Sequence, residues 1–164
     1  KLLHTIGDFE RISDHAVNVM QAAKEIEEKK APLSPEGLAE IKVATAAIRE
    51  IMEIAIKAFD ENNLELAYRV EPLEQVVDGI IEGIKLNHIN RLQAGKCTIQ
   101  QGFVLSDILT NYERVSDHCS NIAVAMIELS KSAFDTHEYL DKLKTMDDPE
   151  FRKMFTEYKK KYAI

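Results

Sequence analysis

The sequence is poor in cysteine and contains no long apolar segment. Its two cysteines, Cys97 and Cys119, have no Cys-x-x-Cys spacing, and its five histidines have no zinc-finger spacing. This composition argues against a disulfide-rich secreted domain and favours a cytosolic chain with reduced thiols. No apolar run reaches the ~20 residues that a membrane-spanning helix needs, and no signal peptide opens the chain. We therefore expect no direct membrane insertion.

Basic residues are fewer than acidic residues in this chain. The 164 residues include 21 Lys and Arg against 28 Asp and Glu, for a net charge of -7. This balance disfavours nucleic acid or an anionic bilayer surface as a direct partner and makes cations the more natural ligands. With 45% apolar residues, the chain is long enough for one sizeable core. It begins with Lys1 rather than methionine, so we expect a fragment or a processed product.

Glycine and proline are scarce, and where they occur they separate helical patterns. Apolar residues spaced by three and four predict helices over residues 2–29, 36–61, 64–94 and 98–132. Ser34 followed by Pro35 predicts an N-cap, Thr98 with Gln101 predicts a capping box, and Gly95 predicts a helix end. Pro72 predicts a kink in the third helix. Two shorter helices are expected to begin near Asp135 or Thr136 and at residues 147–150. No β-hairpin pattern occurs, so the chain is predicted to be all-α.

One charged motif occurs twice. The first copy, "DFERISDHAVNV" at residues 8–19, returns as "NYERVSDHCSNI" at residues 111–122. Six of the twelve positions are identical, and all six are polar. Helical packing would repeat the apolar spacing, but it does not require the same polar residues in the same order. Internal duplication is the simpler explanation.

The identical polar positions place oxygen ligands on one helix face. In the first copy Glu10, Asp14 and Asn18 follow one another at i, i+4, and in the second copy Glu113, Asp117 and Asn121 do the same. The third helix adds Glu74 and Asp78 at the same spacing, with Glu71 one turn earlier. Carboxylates without cysteine suit magnesium, calcium, manganese, iron or zinc. The alternative is a set of solvated acids, since acidic residues are common in this chain.

The residues give little support to catalysis. A ferritin-like di-iron oxidase would use Glu-x-x-His motifs, and none occurs. No serine or cysteine is placed as an activated nucleophile. Cys119 occupies the position of Ala16 in the first copy and is predicted to lie in the core. His15 and His118 follow the aspartates directly, so they either orient ligands or are solvated. We therefore predict that the chain is not an enzyme.

The segments "FERISDHAVNV" and "YERVSDHCSNIA" resemble the repeated Glu-x-x-x-Asp signature of PhoU-like proteins. The segment "SDIL" at residues 106–109 is similar to the Ser-Asp-Leu element that precedes this signature. The resemblance implies an antiparallel helical bundle of three-helix repeats. Residues 36–132 would form one complete repeat, residues 1–29 would supply the last helix of an incomplete repeat, and residues 133–164 would be a C-terminal helical extension.

The resemblance also implies a metal site. It predicts a divalent or trivalent ion, iron or zinc by analogy. The implied metal ligands are Glu10, Asp14, Glu74, Asp78, Glu113 and Asp117. Asp107 and Glu71 are candidate additional ligands, and the candidates for orienting those ligands are Asn18, Asn121, His15 and His118. His4 stands where the first copy would need the counterpart of Asp107.

The resemblance further implies a role in phosphate transport. PhoU-like domains regulate phosphate uptake and phosphate signalling, alone or fused behind the membrane segment of sodium/phosphate cotransporters. We expect the fused form, a regulatory tail on the cytoplasmic face of the bacterial inner membrane. Its partner would be that membrane segment or a phosphate-signalling protein. We also expect a homodimer, because the apolar face of residues 2–29 lacks its repeat partners. The alternatives are a stand-alone cytoplasmic regulator and a structural helical scaffold without metal.

Overall fold

The computed structural model describes residues 2–30, 32–130 and 148–164. These residues form six α-helices and no strand: α1 (Leu2–Glu28), α2 (Pro35–Glu61), α3 (Leu64–Ala67), α4 (Val70–Gln93), α5 (Ile99–Ser130) and α6 (Pro149–Lys161). In this part of the chain, no helix is both long and apolar enough to cross a membrane. The helix predicted near Asp135 or Thr136 lies outside the described residues. The all-α prediction is confirmed.

The predicted helix ends follow from local hydrogen bonds. Ser34 Oγ accepts the backbone N–H of Gly37 at 3.1 Å, and Pro35 opens α2. Thr98 and Gln101 form a reciprocal capping box at the start of α5. Gly95 has a positive φ of 68° and ends α4 in a Schellman motif, which suits a residue without a side chain.

The third predicted helix is broken, not merely kinked. The break lies at residues 68–69, between α3 and α4, and Pro72 sits in the first turn of α4. The prediction of one helix over residues 64–94 was therefore wrong in its first turns. A proline ring collides with the carbonyl four residues earlier, which here belongs to Tyr68. In the first turn of α4 the missing N–H of Pro72 costs nothing, because that position has no intrahelical acceptor.

Helix α5 is the centre of the bundle. It contacts α1, α2, α3 and α4, whereas α6 packs on α4. The core is apolar and comes mainly from α2, α4 and α5, with fully buried side chains that include Ile51, Leu73, Ile84, Leu105 and Ile122. Hydrogen bonds across the interfaces show that both α1 and α4 run antiparallel to α5. The packing therefore places one motif copy, on α1, directly against the other, on α5.

A buried ion pair fixes α4 against α2. Arg91 donates two hydrogen bonds to the Glu40 carboxylate, at 2.9 and 2.7 Å, and Asn87 donates a third at 2.9 Å. Both charged side chains are nearly buried, at 11% and 13% exposure. A bidentate pair of this kind fixes relative orientation as well as adding attraction. It therefore helps to hold α4, which carries two of the predicted ligands and one candidate additional ligand, in one position within the bundle.

Candidate functional site

Five carboxylates gather between α4 and α5. We call this group the acidic cluster: Glu71, Glu74 and Asp78 on α4, with Glu113 and Asp117 on α5. Antiparallel packing brings the two sets together. Across the interface, Ser120 of α5 donates a 2.7 Å hydrogen bond to Glu71. Four of the six predicted metal ligands and one candidate additional ligand therefore lie in one region.

The carboxylates of the acidic cluster repel one another. Burial raises the pKa of Glu74 to about 8, and the charges of Glu71, Asp78 and Asp117 act in the same direction. Asp78 is more exposed, yet partial burial raises its pKa to about 6, with further contributions from Asp117, Glu113 and Glu82, which lies one turn along α4. Both groups hold their protons more tightly than a solvated carboxyl does. The cluster thus favours the arrival of a proton or another cation.

Neighbouring basic residues neutralise the cluster only in part. Lys85 Nζ lies 3.3 Å from Glu113, and Arg114 lies 3.5 Å from Asp117. Both basic side chains are well exposed, so water and salt weaken these ion pairs. Neither pair contacts Glu74, whose carboxyl group has the most strongly raised pKa of the cluster. At neutral pH the other carboxylates of the cluster still outnumber these two basic groups, so the cluster keeps a net negative charge that a cation can offset.

The donor chemistry of the cluster fits a metal ion, but its side chains do not form a finished ligand set. Among the described residues, no three His, Cys, Asp or Glu side chains converge as a metal site. Carboxylate oxygens suit magnesium, calcium, manganese, iron and zinc. Metal binding here would therefore require rotation of the carboxylate side chains on α4 and α5.

The other two predicted ligands lie apart from this cluster. Glu10 and Asp14 are exposed on α1, and neither is among the charges that raise the pKa of Glu74 or Asp78. Asp107 is likewise exposed and absent from those charges. The separation arises because α1 packs on α5 through a different face. The two motif copies therefore do not form one shared site in this chain.

The candidate ligand-orienting residues form the contact between α1 and α5. His15 donates a 2.8 Å hydrogen bond to Asn111, and Asn18 donates to the same oxygen at 3.1 Å. In the matching arrangement His118 lies 2.9 Å from Asp8, which also accepts from Asn121 at 3.4 Å. The rings of His15 and His118 stack between them, with centroids 5.7 Å apart. We call this contact the histidine seam.

Sequence reasoning missed two residues of the histidine seam. Asp8 and Asn111 open the two motif copies at equivalent positions, and they are the acceptors of the seam. Asp8 lies seven residues before His15, and Asn18 lies three residues after it, so all three share one helix face. That spacing, repeated in the second copy, was the available signal. Because Asp8 and Asn111 differ, a comparison restricted to identical residues passes over them.

The structure also decides the environment of Cys119. Its side chain is fully buried, which confirms the prediction that it lies in the core. Burial raises the pKa of its thiol to about 12. A thiol in this state is a poor nucleophile at neutral pH, because the thiolate is the reactive form.

The fold and the doubled motif define an all-α helical bundle in which two copies of one polar motif pack against each other. Residues 42–126 match the family model of the PhoU domain, which is about half of the chain and includes α3, α4 and most of α2 and α5. The chain therefore belongs to the PhoU domain family. No solved structure matches it significantly.

Three curated relatives are accessory proteins of phosphate-specific transport systems. The chain is 29% identical over 133 residues to PhoU homolog 1 of Thermotoga maritima, covering 80% of this chain and 56% of the relative. It is 26% identical over 140 residues to the PhoU homolog of Pseudomonas aeruginosa, covering 85% of this chain and 57% of the relative. It is 25% identical over 124 residues to the PhoU homolog of Clostridium acetobutylicum, covering 76% of this chain and 55% of the relative. The chain thus spans a little over half the length of these relatives.

Proposed function

We propose that this chain is a PhoU-type regulator of phosphate transport that binds a metal ion through its acidic cluster. The observation that carries the proposal is the concentration of five carboxylates on α4 and α5, within the segment that matches the PhoU domain. Glu74, Asp78, Glu113 and Asp117 would hold the ion. When bound, the ion supplies positive charge that offsets the repulsion among these carboxylates.

The comparisons favour a stand-alone accessory protein over a transporter tail. The curated relatives reported above are named as accessory proteins of phosphate-specific transport systems. The sodium/phosphate cotransporter tail that we expected from the sequence receives no support from them. We therefore propose the accessory role, in the cytoplasm, with a transporter component or a phosphate-signalling protein as partner. A homodimer remains part of this proposal.

The acidic cluster suggests how the regulator would respond. Without a cation, repulsion acts between the carboxylates of α4 and those of α5. A cation replaces this repulsion with attraction, so occupancy stiffens the α4–α5 pair. In this proposal the partner distinguishes the stiffened pair from the loose one. The response thus depends on residues of the matched domain and not on α1.

A complementation experiment tests this function. The chain would be expressed in a bacterial strain that lacks its phosphate-transport accessory regulator, and phosphate uptake would be measured in phosphate-rich medium. We expect the unmodified chain to restore regulated uptake and the Asp78→Ala, Asp117→Ala double variant to fail. A matched control, Glu53→Ala with Asp60→Ala, removes two exposed acids from α2 and should restore it. Failure of the unmodified chain would overturn the proposed function.

A metal-free scaffold is the second candidate function. It is favoured by one observation, namely that the described carboxylates do not converge as a finished metal site. The same experiment separates the two candidates. If the double variant restores regulated uptake as well as the unmodified chain does, the acidic cluster is dispensable and the scaffold explanation is correct.

A further inference from the structure

Helix α6 is held against the bundle by its apolar face. Phe151, Tyr158 and Tyr162 are buried at 1%, 6% and 7% exposure. Lys161 donates hydrogen bonds of 3.0 and 2.9 Å to Glu50 of α2, and the hydroxyl of Tyr162 donates to the same carboxylate. The helix is therefore tied to the bundle at its apolar face and at its C-terminal end. Its opposite face must point away from the protein.

That opposite face is strongly cationic. Arg152, Lys153, Lys159 and Lys160 are all exposed. At 3.6 residues per turn they fall within roughly 120° of the helix circumference, and the only residues between them are Thr156 and Pro149. The two acidic residues of α6, Glu150 and Glu157, lie beside this arc and not on it. We call these four cations the basic face of α6.

The basic face differs in sign from the protein as a whole. The chain has a net charge of -7, whereas α6 carries five basic residues and two acidic ones. Charges farther away than about 8 Å are largely screened at physiological ionic strength. An anionic surface that approaches α6 therefore interacts chiefly with the charges of this helix, which are basic on balance. The net charge of the whole chain argued against an anionic bilayer as a partner, but it does not describe this local surface.

We propose that the basic face of α6 adsorbs to the surface of an anionic lipid bilayer. Four or more Lys and Arg residues on one side of an amphipathic helix are the usual pattern for binding to anionic headgroups. The four cations are spread over residues 152–160, about 12 Å along the helix, which suits an extended layer of phosphate groups. The apolar face of α6 is already buried on α4, so adsorption is electrostatic and needs no insertion. This inference rests on the proposed function, because a regulator of a membrane transporter works next to a bilayer.

Vesicle flotation with the purified full chain tests the proposal. Vesicles of phosphatidylcholine alone would be compared with vesicles that also contain phosphatidylglycerol. We expect flotation only with the anionic vesicles, and we expect high salt to abolish it by screening. Each cation should contribute about five-fold in affinity. The Lys153→Gln, Lys159→Gln, Lys160→Gln variant should therefore bind about 100-fold more weakly.

A charge-matched control distinguishes the basic face from overall charge. The Lys24→Gln, Lys42→Gln, Lys57→Gln variant loses the same charge from exposed positions on α1 and α2. It should float like the unmodified chain. The proposal is overturned if the unmodified chain does not float with anionic vesicles, if both variants lose binding equally, or if the chain binds duplex DNA but not vesicles. Purified protein and lipid suffice for this assay, so its failure would leave the complementation result intact.

Discussion

The two motif copies have the same polar residues but different surroundings. On α5, Leu109 and Cys119 are fully buried, because α2 and α4 cover that side of the helix. At the equivalent positions on α1, Ile6 is 62% exposed and Ala16 is exposed. The motif is therefore sufficient to build the histidine seam, to which both copies contribute alike. It is not sufficient to build the acidic cluster, because the cluster also needs the carboxylates of α4.

The largest expected difference concerns stability at equivalent core positions. Leu109→Ala should lower the free energy of unfolding by about 3 kcal/mol, because it leaves a cavity among packed side chains. Ile6→Ala, at the matching position on α1, should lower it by less than about 1 kcal/mol, because that side chain is largely exposed. Urea unfolding followed by circular dichroism measures both values. Equal losses would show that α1 is covered in solution as α5 is.

A smaller effect is expected from removing one carboxylate of the acidic cluster. The pKa of Glu74 is raised from 4.5 to about 8 in the folded protein. Its contribution to stability is therefore present below about pH 4.5 and is lost as the pH rises through about 8. In urea unfolding with a chelator present to remove metal ions, Glu74→Gln should raise the free energy of unfolding at pH 8 by about 1–2 kcal/mol. At pH 5 the increase should be much smaller.

The control for this pH effect lies on α1. Glu10→Gln removes an exposed carboxylate that is not among the charges acting on Glu74. It should change the free energy of unfolding by less than about 0.5 kcal/mol, both at pH 5 and at pH 8. If Glu74→Gln destabilises the protein at pH 8, repulsion within the acidic cluster is not the dominant effect there.

The smallest expected effect concerns the difference between the halves of the histidine seam. Asp8→Asn would make the acceptor of His118 the same residue as the acceptor of His15. The Asp8 and His118 side chains are 16% and 13% exposed, and an amide oxygen can still accept the hydrogen bond. We expect the free energy of unfolding to fall by about 0.5–1 kcal/mol in thermal or urea unfolding. A loss above about 2 kcal/mol would mean that the seam requires the negative charge.

Local sequence signals predicted most of the fold. Ser34, the Thr98–Gln101 pair and Gly95 each act through nearby backbone groups, and all three perform the predicted role. A kink was predicted at Pro72, whereas the helix is broken at residues 68–69, because the proline acts on the carbonyl four residues upstream and not on its own position. Features that depend on one short segment were thus readable from the sequence.

The candidate site was readable only in part, because it depends on which helices meet. The i, i+4 carboxylates on the third helix and in both motif copies were found, but the copies are identical at these positions. Nothing within "ERISDH" or "ERVSDH" says which copy faces α4. That choice is made by long-range packing of apolar side chains around α5. His15 and His118 were similarly ambiguous until α1 and α5 were placed side by side.

Metal content in a matched pair of variants tests the central claim most directly. Asp117 and Asp14 are equivalent positions of the two motif copies, so Asp117→Ala and Asp14→Ala make the same chemical change in different surroundings. Protein purified without a metal-affinity step would be analysed by elemental mass spectrometry. If the acidic cluster binds the metal, Asp117→Ala loses it and Asp14→Ala keeps it. Equal loss in both variants, or no metal in the unmodified chain, would contradict the account.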